Sequence, residues 1–279
     1  MRLNLQSDVL IQHDGKITCS GIDWTRIGVS RQSGLAGDFN KLCHLRPIHQ
    51  AKEYLPPPNA FKNDYQSQYA ISEFKHSAAP SPKNQALAIV AISCAKILLT
   101  NGRQEAVKVA AVDIATGRVL MNHLVCTDPD ASVQEWRTTT TGMIGFQDME
   151  AARQDGYKVF KGWQAVRTAL WKFIDQNTIL VGHNLRADLD SLRMIHGRAV
   201  DVAKLVEKAA NGPLSKGQLD LDVLCRDLPQ VHLFSDHTFG RDCLQNAFAA
   251  REIALWRIKN NDQCIRWAKQ KSLDYQRLG

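Results

Sequence analysis

A chain of 279 residues that is 44% apolar can bury one sizeable core with an appendage, and it has no run of 18 apolar residues, which excludes a membrane-spanning helix. Its net charge of +7 lies in the flanks: residues 1–84 carry 10 Lys and Arg against 7 Asp and Glu, residues 251–279 carry 7 against 3, and the middle is balanced at 18 against 18. Basic flanks on a neutral domain suit a phosphate backbone and, equally, a solvated surface.

The start, "MRLNLQSDVLIQHDGK", lacks the apolar stretch and cleavage site of a secretory signal. Seven scattered cysteines with no CxxC read as reduced thiols of an intracellular protein, and the spacing of Cys19, Cys43, His44 and His49 fits no common zinc pattern. Residues 1–85 read as a partly irregular N-terminal extension. Turn formers occur in "HDGK" and "SGLAGD", "LPPP" breaks the chain at 55–58, and "HSAAPSPKNQ" (76–85) reads as a linker. A small ordered unit around 22–29 carries no evident chemistry.

From residue 86 to 258 the texture is that of a folded domain. "ALAIVAISC" (86–94) is a buried-strand run, and "AVKVAAVDIATGRVLMNHLV" (106–125) reads as two strands joined at "DIATG". "GWQAVRTALWKFID" (162–175) has a helical apolar face, "TILVG" (178–182) is a strand, and "RADLDSLRMI" (186–195) is a helix. "RAVDVAKLV" (198–206) gives a short strand and a helix start, and "HTFGRDCLQNAFAAREIALWRI" (237–258) a long helix. Strands followed by helix–strand alternation predict an α/β layer fold with a mixed central sheet. Residues 259–279 read as a basic helical tail.

Two fragments carry candidate chemistry. Asp188 lies six residues past the glycine that ends a strand, and "HTFGRD" sets His237 five residues before Asp242 at a helix start. Acids that hold divalent ions, with a histidine that takes a proton from water, are what a metal-assisted phosphodiester hydrolase needs. Taken alone, each acid is more often a surface carboxylate or a helix cap.

The segment from about 87 to 258 resembles the DEDDh 3′–5′ exonucleases, in particular the eukaryotic RNA-exonuclease branch. "ILVGHNLRADLDSL" looks like that branch's second motif and "HTFGRDCLQNAFAAREI" its third. "QEWRTTTTGM" (134–143) looks like its Tyr-Arg-Thr…Ser-Gly-Ile loop, with Trp136 and Thr141 substituted, and "AVDVAKL" keeps Asp201 of an Asp-Thr strand. The resemblance implies a ribonuclease H-like fold and four carboxylates that hold two divalent ions, Mg2+ or Mn2+. It places the first motif, Asp-x-Glu, on "VAISCAKI" (90–97), where Ser93 and Ala95 stand in the ligand positions. Asp188 and Asp242 would remain as ligands, with weak metal binding, and His237 as general base of any residual activity. Asp113 is the nearest substitute acid but suits a turn, and Glu105 would need a long reach.

The expectation is a dead or very weak pseudo-exonuclease that binds RNA or single-stranded nucleic acid, with Arg137, Arg186 and Arg241 as candidate backbone contacts. The alternatives are an active metal-dependent 3′–5′ RNA exonuclease with a rebuilt metal site, and a protein-interaction scaffold whose residues 1–85 recruit the partner. The family's usual setting is nuclear or nucleolar. Other features read as structure: Trp163 and Trp171 as core, His183 as a turn cap, and Asp190, Asp220 and Asp222 as solvent-facing.

Overall fold

The computed structural model describes residues 11–13, 16–43, 69–82, 84–235 and 240–278. It begins with three antiparallel strands, β1 (Ile11–His13), β2 (Lys16–Cys19) and β3 (Ile22–Thr25), followed by helix α1 (Val29–Leu42). Strand alternation turns Ile17, Cys19, Ile22 and Trp24 inward. Ser20 and Gly21 close the β2–β3 hairpin, both with positive φ (53° and 74°), as a two-residue hairpin turn requires.

Next come β4 (Lys75–His76), the long pair β5 (Ile89–Leu99) and β6 (Gln104–Asp113), then β7 (Val119–Cys126) and β8 (Val133–Glu135). Helices α2 (Thr138–Thr141) and α3 (Gln147–Gln154) lead to β9 (Val159–Lys161), α4 (Trp163–Leu170), β10 (Ile179–Gly182) and α5 (Leu185–Ser191). Short strands β11 (Met194–Ile195) and β12 (Ala199–Asp201) precede α6 (Val202–Ala210), α7 (Leu221–Asp227), α8 (Cys243–Lys259) and α9 (Asn261–Leu278).

The main sheet runs β12-β10-β5-β6-β7-β9, with β8 paired to β5 off that path. It is mixed: β10 is parallel to β5 and β12, β7 is parallel to β9, and β5, β6 and β7 are antiparallel neighbours. One face buries Ala91, Val112 and Val181 under α8, α6 and α7, and the other buries Val90, Ile92 and Leu180 under α4 and α5. The expected mixed α/β layer is therefore present. The helix expected over 162–175 ends at Leu170, and the one expected over 186–195 ends at Ser191 because Met194 and Ile195 pair with β4 instead. A short apolar run does not distinguish helix from strand by periodicity, and the partner strand decides.

Residues 16–42, expected to lie in a partly irregular extension, share the core of the α8 face. Trp24 stacks on Phe248 of α8 at 5.4 Å, and Phe39 is fully buried in the same cluster. Arg251 of α8, buried, donates from Nε to the Ile114 carbonyl and from Nη1 to that of Thr25, both at 2.8 Å. The Thr25 amide in turn donates to Glu252 at 3.0 Å. The stretch read as a linker opens in β4, and its Ser77 is buried against His196 at 2.8 Å.

Candidate functional site

The site lies at a gap in the sheet. β10 pairs with β5 over Ile89–Ala91, and β8 pairs with the same strand only at Leu98 and Leu99. Between them the edge of β5 from Ile92 to Ile97 lacks a strand partner on that side among the described residues, which leaves a gap between β10 and β8 where the topology reverses, the usual location of a binding site in an open α/β sheet. Ser93, Cys94, Ala95 and Lys96 lie on that stretch.

Asp188 comes to this gap from α5, and a second acid sets that helix in place. The carboxylate of Asp201 accepts from the amides of Asn184 (3.2 Å) and Leu185 (2.9 Å) at the start of α5, and from Ala203 (3.0 Å) as the cap of α6. One buried carboxylate thus satisfies the exposed amides of two helix starts. Asp242 caps α8 by accepting from Leu244 N at 2.9 Å, while its other oxygen accepts from Ser20 Oγ at 3.3 Å. The turn of the N-terminal hairpin therefore reaches the site, a contact that residues 16–25 do not announce in sequence.

The two aspartates are brought to one place. Burial, together with the charges of both Asp188 and Asp242, pushes the Cys243 thiol up to about 12, and that thiol donates to the Ser93 carbonyl at 2.8 Å. Two lysines share this region. Lys96 Nζ is ion-paired with Asp188, which is only 3% exposed, and donates to the Cys94 carbonyl at 3.0 Å. Burial opposes the charge on Lys96, but Asp188 beside it holds its pKa above the ordinary lysine value. Lys108 of β6 sits directly across from Ala95 and is 4% exposed; burial lowers its pKa, and the charges of Asp242 and Cys243 oppose that.

The residues present do not fit a pair of divalent ions. Asp188 is committed to Lys96 and Asp242 to a helix cap and a serine, and among the described residues no group of three or more His, Cys, Asp or Glu side chains gathers as a metal site. The substitute acids are engaged elsewhere. Asp113 accepts from Ala115 N and Thr116 Oγ1 at the turn after β6, and Glu105 is paired with the buried Arg193. His237 lies outside the described residues.

The candidate arginines are all in ion pairs. Arg186 holds Asp190 with Nε at 3.0 and 3.1 Å, Arg241 is paired with Asp222, and Arg137 donates to Gln104 Oε1 at 3.1 Å beside Glu135. Asp190, expected to face solvent, is buried at 5%, because Arg186 one helical turn away neutralises it. Asp220 and Asp222 are exposed. His183 donates from Nε2 to the Leu219 carbonyl at 2.7 Å, a structural role as expected. Trp163 is buried and Trp171 partly so, with the Arg167 guanidinium between them at 4.7 and 5.2 Å from the two rings.

The loop at 134–143 closes the neighbouring wall. Gly142 ends α2 with φ 68°, and Gly240 packs on it with φ 70°; a Cβ on Gly240 would lie 2.7 Å from Gly142 N. Glycine is required there for both the backbone conformation and the space.

Reasoning from sequence missed Lys96, Lys108, Asp201 as a double cap, and Ser20. A signal existed for the two lysines. Each is the lone charge in an apolar strand run, "VAISCAKI" and "AVKVAAV", and a buried lysine needs a compensating partner.

No protein-family model matches the chain. It is 29% identical over 175 residues to small RNA degrading nuclease 2 of Arabidopsis thaliana, covering 62% of this chain and 35% of that protein. It is 27% identical over 177 residues to putative exonuclease GOR of Homo sapiens (63% and 24%), and 24% over 178 residues to RNA exonuclease 3 of Candida albicans (63% and 40%). The chain thus spans no more than 40% of the length of any of these three. Among solved structures it superposes on the Saccharomyces cerevisiae Pan2 pseudoubiquitin hydrolase–RNA exonuclease module in complex with AAGGAA RNA. The TM-score is 0.54 at 12% identity, over 73% of this chain and 34% of that one. The Neurospora crassa Pan2 catalytic unit gives 0.52 at 12% identity, over 75% and 35%. In sequence the chain is thus similar to eukaryotic RNA exonucleases, and its fold is the ribonuclease H-like architecture seen in the Pan2 exonuclease modules.

Proposed function

We propose that this chain is a catalytically dead or severely impaired exonuclease that has kept the fold as a binder of RNA or another single-stranded nucleic acid. The observation that carries the reading is the donor set on the open edge of β5, where Ser93 and Ala95 stand and only Asp188 and Asp242 remain of the acids. Exonucleases of this family are generally dependent on divalent metal. A hard cation that parts with water reluctantly needs carboxylates plus substrate phosphate, and half the acids hold it poorly. Alanine offers no ligand, and Asp113 and Glu105 are occupied by a turn and by Arg193. His237 would have no activated water to deprotonate.

Binding is a separate matter. Removing two carboxylates from the floor reduces repulsion of phosphate, and basic residues flank the neutral domain. The chain holds its substrate strand but does not cut it. We propose an intracellular setting, with the nucleus or nucleolus, usual for the family, as the candidate compartment.

The test is a paired assay on a 5′-labelled single-stranded RNA, with cleavage followed in Mg2+ and in Mn2+ and retention followed by mobility shift over a range of salt. Salt-sensitive retention without cleavage is the expected result. Cleavage that Asp188→Asn abolishes would instead support an active enzyme with a rebuilt site, and the absence of both would leave a protein-interaction scaffold.

A further inference from the structure

Two lysines stand where the residues do not suit metal ions. We propose, resting on the nucleic-acid-binding reading above, that Lys96 and Lys108 are resident cations in place of the two divalent ions, and that the gap in the sheet holds a phosphodiester of single-stranded nucleic acid with no metal present.

Charge and position support this. In the family arrangement four carboxylates balance two divalent ions. Here two carboxylates, Asp188 and Asp242, are matched in number by two lysines, Lys96 ion-paired with Asp188 and Lys108 on β6 directly across from Ala95. Ser93 and Ala95 add no negative charge to β5, and Lys96 and Lys108 add two positive charges to β5 and β6. Lys96 reaches Asp188 across the open edge of β5, and Lys108 shares the face of Ala95, its cross-strand partner.

Geometry leaves each ammonium something to offer. An ammonium has three N–H donors. Lys96 uses one on Asp188 and one on the Cys94 carbonyl, and its third has no partner among the described residues. The Lys108 ammonium makes no hydrogen bond or ion pair among the described residues. A tethered point charge with a spare donor is a phosphate ligand, and unlike a bound ion it cannot be chelated away. The same lysine blocks the ion it replaces, since a divalent cation at Asp188 would sit beside a fixed positive charge.

Restoring the acids with Ser93→Asp/Ala95→Glu does not restore metal binding while Lys96 holds Asp188. The test uses the full chain in two measurements. Fluorescence anisotropy on a labelled single-stranded RNA should give the same Kd in EDTA and in millimolar Mg2+, and Lys96→Met should weaken binding in EDTA by about ten-fold or more, the effect of losing a charged hydrogen bond. Mn2+ titration followed by electron paramagnetic resonance should leave the ion free with wild type and with Ser93→Asp/Ala95→Glu, and bound only when Lys96→Met is added. The wild-type arms do not depend on how any variant folds. RNA binding that collapses in EDTA, or stoichiometric Mn2+ binding by wild type, overturns the resident-cation assignment and leaves the nucleic-acid reading standing. RNA that fails to bind under any condition overturns both.

Discussion

Lys96 and Asp188 are worth more to the fold together than either is alone. Removing one partner of a buried pair strands the other charge away from water, at a typical cost of about 3–5 kcal/mol. Lys96→Met should therefore lower the urea midpoint substantially, and adding Asp188→Asn should recover part of the loss, since the stranded charge is then gone. A double-mutant cycle reads the coupling, and simple additivity would mean that the pair does not form. A second buried group gives a pH signature. His196 donates from Nε2 to the Thr178 carbonyl at 2.7 Å and accepts from Ser77 Oγ at Nδ1, and burial lowers its pKa to about 4. Between about pH 6.5 and 4 the unfolded chain takes up a proton that the folded imidazole refuses. Stability is intact above this window and falls as pH drops through it, by about 3 kcal/mol from this one group. Denaturation at pH 7.5 and 4.5 should show that His196→Gln has a shallower pH dependence than wild type; equal slopes would place the acid sensitivity elsewhere.

The elements around the gap were legible to different degrees. The strands β5, β6, β7 and β10 follow from apolar runs and the glycine turn at "DIATG", since periodicity and turn chemistry are local. The hairpin β2–β3 and α1 were not legible as part of the domain. Their apolar residues are sparse, and their burial depends on α8, more than 200 residues away in sequence, through Trp24 on Phe248 and Thr25 on Glu252. This packing makes the hairpin a structural part of the site wall, with Ser20 on Asp242. Trp24→Ala should cost about 3–5 kcal/mol, as truncation of a fully buried aromatic does. A urea midpoint shifted by less than a third of that would mean that the hairpin is not docked on α8.

At the scale of the whole molecule, the proposed binding would draw separately on the charge distribution and on the site. Arg266 and Lys269 are exposed on α9, in the basic C-terminal flank. If the flank tracks a phosphate backbone, Arg266→Gln/Lys269→Gln should reduce the slope of log Kd against log salt by about one to two, while Lys96→Met should weaken binding with little further change in its Mg2+ dependence. An unchanged slope would assign the flank to solvation and packing, for which Cys264 and Ala268, buried on the same helix, already give a reason. Among the described residues no helix is long and apolar enough to cross a membrane. By itself the sequence determined the α/β class, the order of the motif fragments, and the identities Ser93, Ala95, Asp188 and Asp242, because these depend on local patterning and on residue type. Only the tertiary structure decided what those acids face. A lysine in a strand run declares that it needs a partner but not which one, and the pairing of Lys96 with Asp188 exists because β10 and β8 leave the edge of β5 open where α5 delivers its carboxylate.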